Sequence, residues 1–505
     1  MKKLILLVAT GLMAINVSAA DKTLRTSKML SDHMVLQQNA NARIWGWAAP
    51  GAQVSVTPSW SGKTVSAKAG KDGAWEVFVK TPAGTFKPST ISIKSGSESI
   101  KLSDVLIGEV WFFSGQSNME MKLGSGRNAP VEGSLEEIAR SGQYKGLRHL
   151  EVAKQTSTEV MEDAGGEWKV CNAANSPSFG AIPYFMGSRL SECLDVPVGV
   201  INCSWGGALI ECFMSKELLE ECGEERMQDA YDSKVNAMSQ PMVMYNGMIA
   251  PASKYAVNGI VWYQGESNVN RSETDYARRL TKMAELWRKD FGRGDIPFFI
   301  IELAPYDYND GMYGFQDETG PALREQQFLA SKQIPNSGYI CTNDLVYDYE
   351  LQQVHPSRKR EVGERCCWLA LNQCYGFETV QAVSPSFRAM EIKDGKALVY
   401  FDNSQAGLVA AGDVVGFEIA GGSGQFHKAD VKIGFFNLEV SSPLVPNPMY
   451  VRYCFKDFEV GNLKTAYGIP VVPFRSDSPV IEQGTIPEMN FGRMRARSTE
   501  VEKAD

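Results

Sequence analysis

Three textures of hydrophobic patterning follow one another along the chain. Between residues 21 and 104 apolar and polar residues alternate in short runs: Ala42-Arg-Ile-Trp-Gly-Trp47, Val54-Ser-Val-Thr57, Trp75-Glu-Val-Phe-Val79 and Ile91-Ser-Ile93. Turn formers at Pro50-Gly51, Gly70-Lys-Asp-Gly73 and Pro82-Ala-Gly84 separate them. A period of two at this spacing predicts half-buried strands of a small β-sandwich. From Val105 the apolar runs become continuous: Val105-Leu-Ile-Gly-Glu-Val-Trp-Phe-Phe113, Val196–Cys203, Gly259–Tyr263, Ile296–Ile301 and Gly338–Cys341. Strands apolar on both faces belong inside a sheet, and their alternation with helices predicts an α/β domain with a parallel sheet, over about 105–378. Tyr276, Leu280, Met283, Leu286, Trp287 and Phe291 recur at helical spacing, with Ser272 or Thr274 as start and Gly292 as stop. After residue 379 the alternation returns in Ala397–Phe401, Val415–Ile419 and Tyr450–Phe455. That predicts a C-terminal β segment, 379–505, packing with the N-terminal one to form an additional sandwich-like unit. Residues 120–180 carry no clear period, and 213–245 read as helical insertions.

The ends and the composition narrow the class. Met1-Lys-Lys followed by an apolar run, with Val17-Ser-Ala-Ala20 before Asp21, reads as a secretory signal peptide over 1–20. The expectation is export to the periplasm or the medium, and no later segment is apolar enough to span a membrane. A chain of 505 residues implies more than one core, and 44% hydrophobic with 22% charged residues is ordinary globular composition. The net charge of −8 argues against a nucleic-acid partner and leaves room for an anionic sugar met by one local arginine. Ten cysteines are dispersed with no Cys-x-x-Cys pair, which speaks against a metal site; Cys212 and Cys222 are a candidate bridge. The acidic run Glu217, Glu220, Glu221, Glu224 and Glu225 lacks any histidine beside it and reads as a solvated helix face.

Candidate chemistry gathers where the first buried run breaks, at Ser114-Gly-Gln-Ser-Asn118. A serine there sits at the carboxyl end of a strand, where open α/β sheets bind ligands. The competing reading is a mere helix cap. A serine hydroxyl needs a base, and histidine is the usual one. Of four histidines, His33 and His427 fall in the β segments and His149 in the apolar run Leu147-Arg-His-Leu150. His355, in Gln352-Gln-Val-His-Pro-Ser357, follows the last parallel strand and is the expected base. Acyl transfer also needs donors for an oxyanion, each typically worth about 3 kcal/mol. The turns Asn202-Cys-Ser-Trp-Gly-Gly207 and Tyr263-Gln-Gly-Glu-Ser-Asn268 both follow buried strands and offer glycine or side-chain amides.

Gly-Gln-Ser-Asn-Met (115–119), Gly206-Gly207, Gln-Gly-Glu-Ser-Asn (264–268) and His355-Pro356 together resemble the signature blocks of SGNH-type hydrolases, specifically the sialate O-acetylesterases. Met29-Leu-Ser-Asp-His-Met-Val-Leu-Gln-Gln38 is similar to that family's opening, and Asn462–Pro470 with Pro473–Asp477 to its ending. The resemblance implies Ser117 as nucleophile and oxyanion donor, Gly207 (Gly206 in the alternative) as a second donor, and Gln264 or Asn268 as a third, Gln264 being preferred. It implies His355 as general base and no metal or organic cofactor. Many SGNH enzymes carry an aspartate two or three residues before the histidine. Here those positions hold Gln353 and Gln352. Asp344 is the chosen third member, with Asp348, Glu350 or a bare Ser-His dyad as alternatives.

The resemblance thus implies a carbohydrate esterase that removes O-acetyl groups from sialic acids or sialoglycans through an acyl-serine. Two rivals stand beside it: an acetylesterase for xylan or another glycan, and an inactive glycan-binding protein on a hydrolase fold.

Overall fold

The computed structural model describes residues 23–124, 130–227, 232, 234–271, 275–309 and 319–486. The expected signal peptide, the helix starts at Ser272 and Thr274 and the tail from Arg493 lie outside the described residues.

The organising element is β1, Glu98–Gly115, a strand of 18 residues. Up to Asp104 most of its residues are exposed or half-buried, and from Val105 to Gly115 every one is buried. The first half pairs antiparallel with Thr85–Ser95. Its middle, Leu106–Gly108, runs parallel to Val35–Gln37. The second half is flanked by β4 (Val198–Ser204) and β5 (Gly259–Tyr263), both parallel to it. With β2 (Leu147–Val152), β3 (Gly166–Val170), β6 (Phe298–Ile301) and β7 (Ser337–Ile340), the strand order is β3-β2-β4-β1-β5-β6-β7, β3 being the antiparallel edge. The molecule is therefore mixed α/β, built on one large mixed sheet with separate antiparallel sheets beside it.

Both faces of this sheet are covered, as the unbroken apolar runs require. Trp111 and Phe113 point to the face packed by α1 (Ala181–Leu194) and α4 (Lys359–Cys374). Val110 and Phe112 point to the other, with α2 (Tyr276–Phe291) and α3 (Thr319–Gln333). There the Phe112 ring lies 5.1 Å from Phe291 and 6.1 Å from Trp287. Each fully buried phenylalanine of this kind contributes about 1.5–3 kcal/mol. The expected helix over 276–291 forms as read, closed by Gly292 at φ 62°.

Two expectations about the flanking segments differ from the structure. The boundary expected at residue 105 falls inside one strand, because the N-terminal strands extend into β1. Their apolar residues, Ile44, Val56 and Ile93 among them, share a core with Trp262 and Trp287. The C-terminal segment does not pair with the N-terminal one: among the described residues its strands pair only with each other. It encloses its own core around Val399, Ile419 and Val451. It docks instead on the parallel-sheet domain, through Arg475 to Glu325 at 2.7 Å, Lys464 to Asp344 at 2.6 Å and the Gly320 N–H to Asp457 at 2.8 Å. The Cys212–Cys222 bridge is also absent. Both are free thiols, and Cys212 Sγ lies 3.2 Å from the Met238 carbonyl.

Candidate active site

The chain leaves β1, builds β2 to β4 on one side, then crosses to build β5 to β7 on the other. The crevice at such a reversal opens at the carboxyl ends of β1, β4 and β5. These are the three ends that carry Gln116-Ser117, Gly206-Gly207 and Gln264–Asn268. At Gly115 the backbone takes φ 135°, and a Cβ would come within 2.0 Å of the Tyr263 carbonyl oxygen. Only glycine permits that approach, and it lets the Gln116 N–H donate to Tyr263 O at 2.9 Å. The Gln116 side-chain oxygen then accepts from Gln264 Nε2 at 3.1 Å and from the Ser267 N–H at 3.2 Å. Ser117 opens a single helical turn, Ser117–Glu120, and is half-buried. Neither its N–H nor its hydroxyl has a hydrogen-bond partner among the described residues.

The β4 turn lies against this serine. A Cβ on Gly206 would sit 3.4 Å from Ser117 Cβ, and the Gly206 N–H donates to Glu120 Oε2 at 2.6 Å. Glu120 also pairs with Lys154 at 2.7 Å. Gly207, at φ 76°, has an N–H with no acceptor among the described residues. Of the two glycines, Gly206 spends its N–H on Glu120, and Gly207 keeps its own without an acceptor among the described residues.

His355 reaches the same rim through its loop. Asn118 Nδ2, one residue past the serine, donates to the carbonyl of Val354, one residue before the histidine, at 2.9 Å. Asn118 Nδ2 also donates to Glu266, and its Oδ1 accepts from Lys359 at 2.8 Å. The His355 N–H donates to the Gln353 side chain at 3.1 Å, a bond that closes the loop on itself. His149, by contrast, is buried on β2, stacks on Phe179 at 4.5 Å and accepts from the Gly180 N–H at 3.1 Å. Burial, then the charges of Lys122 and Lys169, hold it well below the usual imidazole range.

The other expected site residues meet a different arrangement. Gln264 is fully buried. Its Nε2 donates to Gln116, to Ala208 O at 3.0 Å and to Asn268 Oδ1 at 2.7 Å, while its Oε1 accepts from Tyr276 at 2.8 Å. Asn268, also fully buried, turns its Nδ2 to both oxygens of Glu211, at 3.3 and 3.1 Å, and its Oδ1 to the Ile210 N–H at 3.0 Å. Gln264 ties the three strand-end turns together, and Asn268 fastens the β5 turn to the segment after β4. Asp344 is held by Arg365 through two 2.7 Å hydrogen bonds and by Lys464. Burial alone would raise its carboxyl; the bonds and charges of those two cations prevail and lower it. Its carboxylate therefore joins α4 to the C-terminal segment.

Residues 107–369 match the family model described as "Carbohydrate esterase, sialic acid-specific acetylesterase". The chain belongs to that family. Among curated relatives, the sialate O-acetylesterase of Homo sapiens is 29% identical over 426 residues, covering 78% of this chain and 80% of its own length. That of Mus musculus is 26% identical over 447 residues, with 78% and 82% covered. Among solved structures, a carbohydrate acetylesterase from Xanthomonas citri is 30% identical, covers 90% of this chain and 99% of its own, and superposes with a TM-score of 0.81. The protein is accordingly a carboxylic ester hydrolase, an esterase that removes O-acetyl groups. The residues that sequence reasoning missed in this acetylesterase are Glu120, Glu266 and Lys359. The first two lie inside or beside quoted blocks, but nothing in their spacing announces a partner. Lys359 lies three residues beyond the His-Pro block, and nothing in the sequence pairs it with Asn118.

Proposed function

We propose that this acetylesterase acts on O-acetylated sialic acid through an acetyl-serine intermediate, with Ser117 as nucleophile and His355 as general base. Ser117 Oγ attacks the acetyl carbonyl carbon as its proton passes to the imidazole. The tetrahedral oxyanion meets the N–H groups of Ser117 and Gly207, each worth about 3 kcal/mol in such a role. The intermediate collapses, the C–O bond to the sugar breaks, and the imidazolium protonates the departing hydroxyl. A water, giving its proton to His355, then cleaves the acetyl-serine to acetate and regenerates the hydroxyl. Gln264 and Asn268 hold the turns in this reading, and Asp344 acts as a structural anion. The observation that carries it is the 2.9 Å bond from Asn118 to Val354 O, which links the neighbours of Ser117 and His355 at the switch point of the sheet. We assign the sheet to the SGNH type on the same grounds, and residues 1–20 to a cleaved leader, so that N-terminal sequencing of the exported protein should begin at Asp21.

The test is turnover of an aryl acetate and of O-acetylated sialic acid by wild type and Ser117→Ala. A loss of at least about a thousandfold on both is expected. An unchanged rate would end the serine reading. A second reading, an acetylesterase for another glycan, is favoured by the 30% identity to the Xanthomonas citri carbohydrate acetylesterase. Faster turnover of acetylated xylan than of acetylated sialic acid would select it.

A further inference from the structure

Lys359 stands where physical chemistry disfavours a lysine. It is the first residue of α4, at the helix end whose dipole repels a cation, and it is 1% exposed. Burial pushes its ammonium down to about 7 against the opposing pull of Glu266 and Glu350.

What the ammonium does is fix an amide. Asn118 Oδ1 accepts a hydrogen bond from the ammonium at 2.8 Å, while Asn118 Nδ2 donates to the Glu266 carboxylate and the Val354 carbonyl. One orientation of the amide satisfies all three partners; reversed, it would turn its oxygen to the Val354 carbonyl and its N–H groups to the Lys359 donor. Those partners come from three segments: the turn after β5, the loop that carries His355 and the start of α4. Asn118 itself directly follows Ser117. The Lys359 ammonium also lies 5.9 Å over the Tyr263 ring, on the residue whose carbonyl receives the Gln116 N–H. The cation is thus in contact with the nucleophile turn from behind, out of reach of solvent.

We propose that Lys359 is a positioning residue for ester hydrolysis, locking the Asn118 amide so that the turn bearing Ser117 and the loop bearing His355 keep one register. The proposal rests on the reading of Ser117 and His355 as the reacting pair. It requires that loss of the lysine lower kcat while leaving substrate binding alone, and that the effect pass through Asn118.

The experiment uses the full chain with an aryl acetate, comparing wild type, Lys359→Met, Asn118→Ala, their double variant and Ser117→Ala, each checked by thermal melting. Lys359→Met is expected to lose about 10- to 100-fold in kcat with KM within about twofold, the scale of a misplaced reacting group. The double variant should fall within about twofold of Asn118→Ala, because both changes break one unit. Wild-type kcat in Lys359→Met, or losses that multiply in the double variant, overturns the proposal. If the methionine variant does not fold, Lys359→Gln replaces it, since its amide keeps an N–H for Asn118. Then kcat within about tenfold of wild type supports the proposal, and a larger loss at an intact melting temperature overturns it. Ser117→Ala separates the two failures. If that variant keeps the wild-type rate the serine reading falls and takes this proposal with it. A Ser117-dependent enzyme indifferent to Lys359→Met removes the positioning role alone.

Discussion

Replacing Lys359 by methionine should change how the stability of this esterase depends on pH, in a sense that can be worked from the structure. The perturbation removes a cation from a site faced by Glu266 on the turn after β5, Glu350 on the His355 loop and Tyr263 at the end of β5. In wild type, burial lowers the ammonium from its ordinary 10.5 to about 7. Between those values the unfolded chain holds a proton that the folded chain does not. Wild-type stability therefore climbs as pH rises through this window. Below about pH 7 both states are charged and the fold carries the full penalty, on the order of 5 kcal/mol at 1.36 kcal/mol per pKa unit. Methionine carries none of it. The variant also loses the bond to Asn118, a cost of about 1–3 kcal/mol that does not vary with pH. The stability of Lys359→Met relative to wild type should thus fall by about 3 kcal/mol between pH 7 and 9.5. Tyr263, driven far above its ordinary range by burial, stays neutral throughout. Glu266, already raised by burial, rises further without the lysine, which lowers the variant's stability with rising pH in the same sense. Urea unfolding followed by tryptophan fluorescence at several pH values measures the difference. A gap that stays constant from pH 6 to 9.5 would refute the reasoning.

Other expectations follow from single contacts. Gly115→Ala forces a Cβ to 2.0 Å from Tyr263 O at a backbone angle closed to alanine, and should cost several kcal/mol, seen as loss of soluble protein; wild-type stability would show that the turn relaxes. Asp344→Asn leaves the largely buried Arg365 without its anion and should cost about 3–5 kcal/mol in urea unfolding while kcat stays within about fivefold. A large loss of kcat at unchanged stability would instead return Asp344 to the catalytic group. Gln264→Ala should lower stability and activity together, because its amide braces Gln116, Ala208 and Asn268. A fall in kcat with no change in the unfolding midpoint would make it an oxyanion donor.

Local pattern made much of the fold legible. Gly259–Tyr263 forms a strand with the bounds read from its apolar run, and Tyr276–Phe291 a helix with its glycine stop. Period and turn chemistry act within a few residues, so they survive any tertiary arrangement. The change of texture at Val105 was also real, since burial becomes complete there, but it marks a strand entering a second environment rather than a domain edge. The partnership of the two β segments was not legible, because alternation reports a half-buried strand and says nothing of its neighbour. At the site, hydrogen bonds and close approaches join the turns at 115–119, 206–207 and 264–268, and Asn118 reaches the loop before His355 through Val354 O. The tasks of their side chains followed less readily. Gln264 and Asn268 carry amides suited to an oxyanion, yet buried partners hold them, and such partners depend on segments far away in sequence. Lys359 escaped for the same reason: only its burial and its bond to Asn118 distinguish it from a surface lysine.

The most direct test of the serine mechanism is to mix the enzyme with an excess of aryl acetate, quench in acid within the first turnovers and map the acetyl group by peptide mass spectrometry. One acetyl group on the peptide containing Ser117 is expected, absent in Ser117→Ala and formed far more slowly in His355→Ala. Acetyl on another residue, or full turnover by Ser117→Ala with no acetylated peptide, would contradict the account.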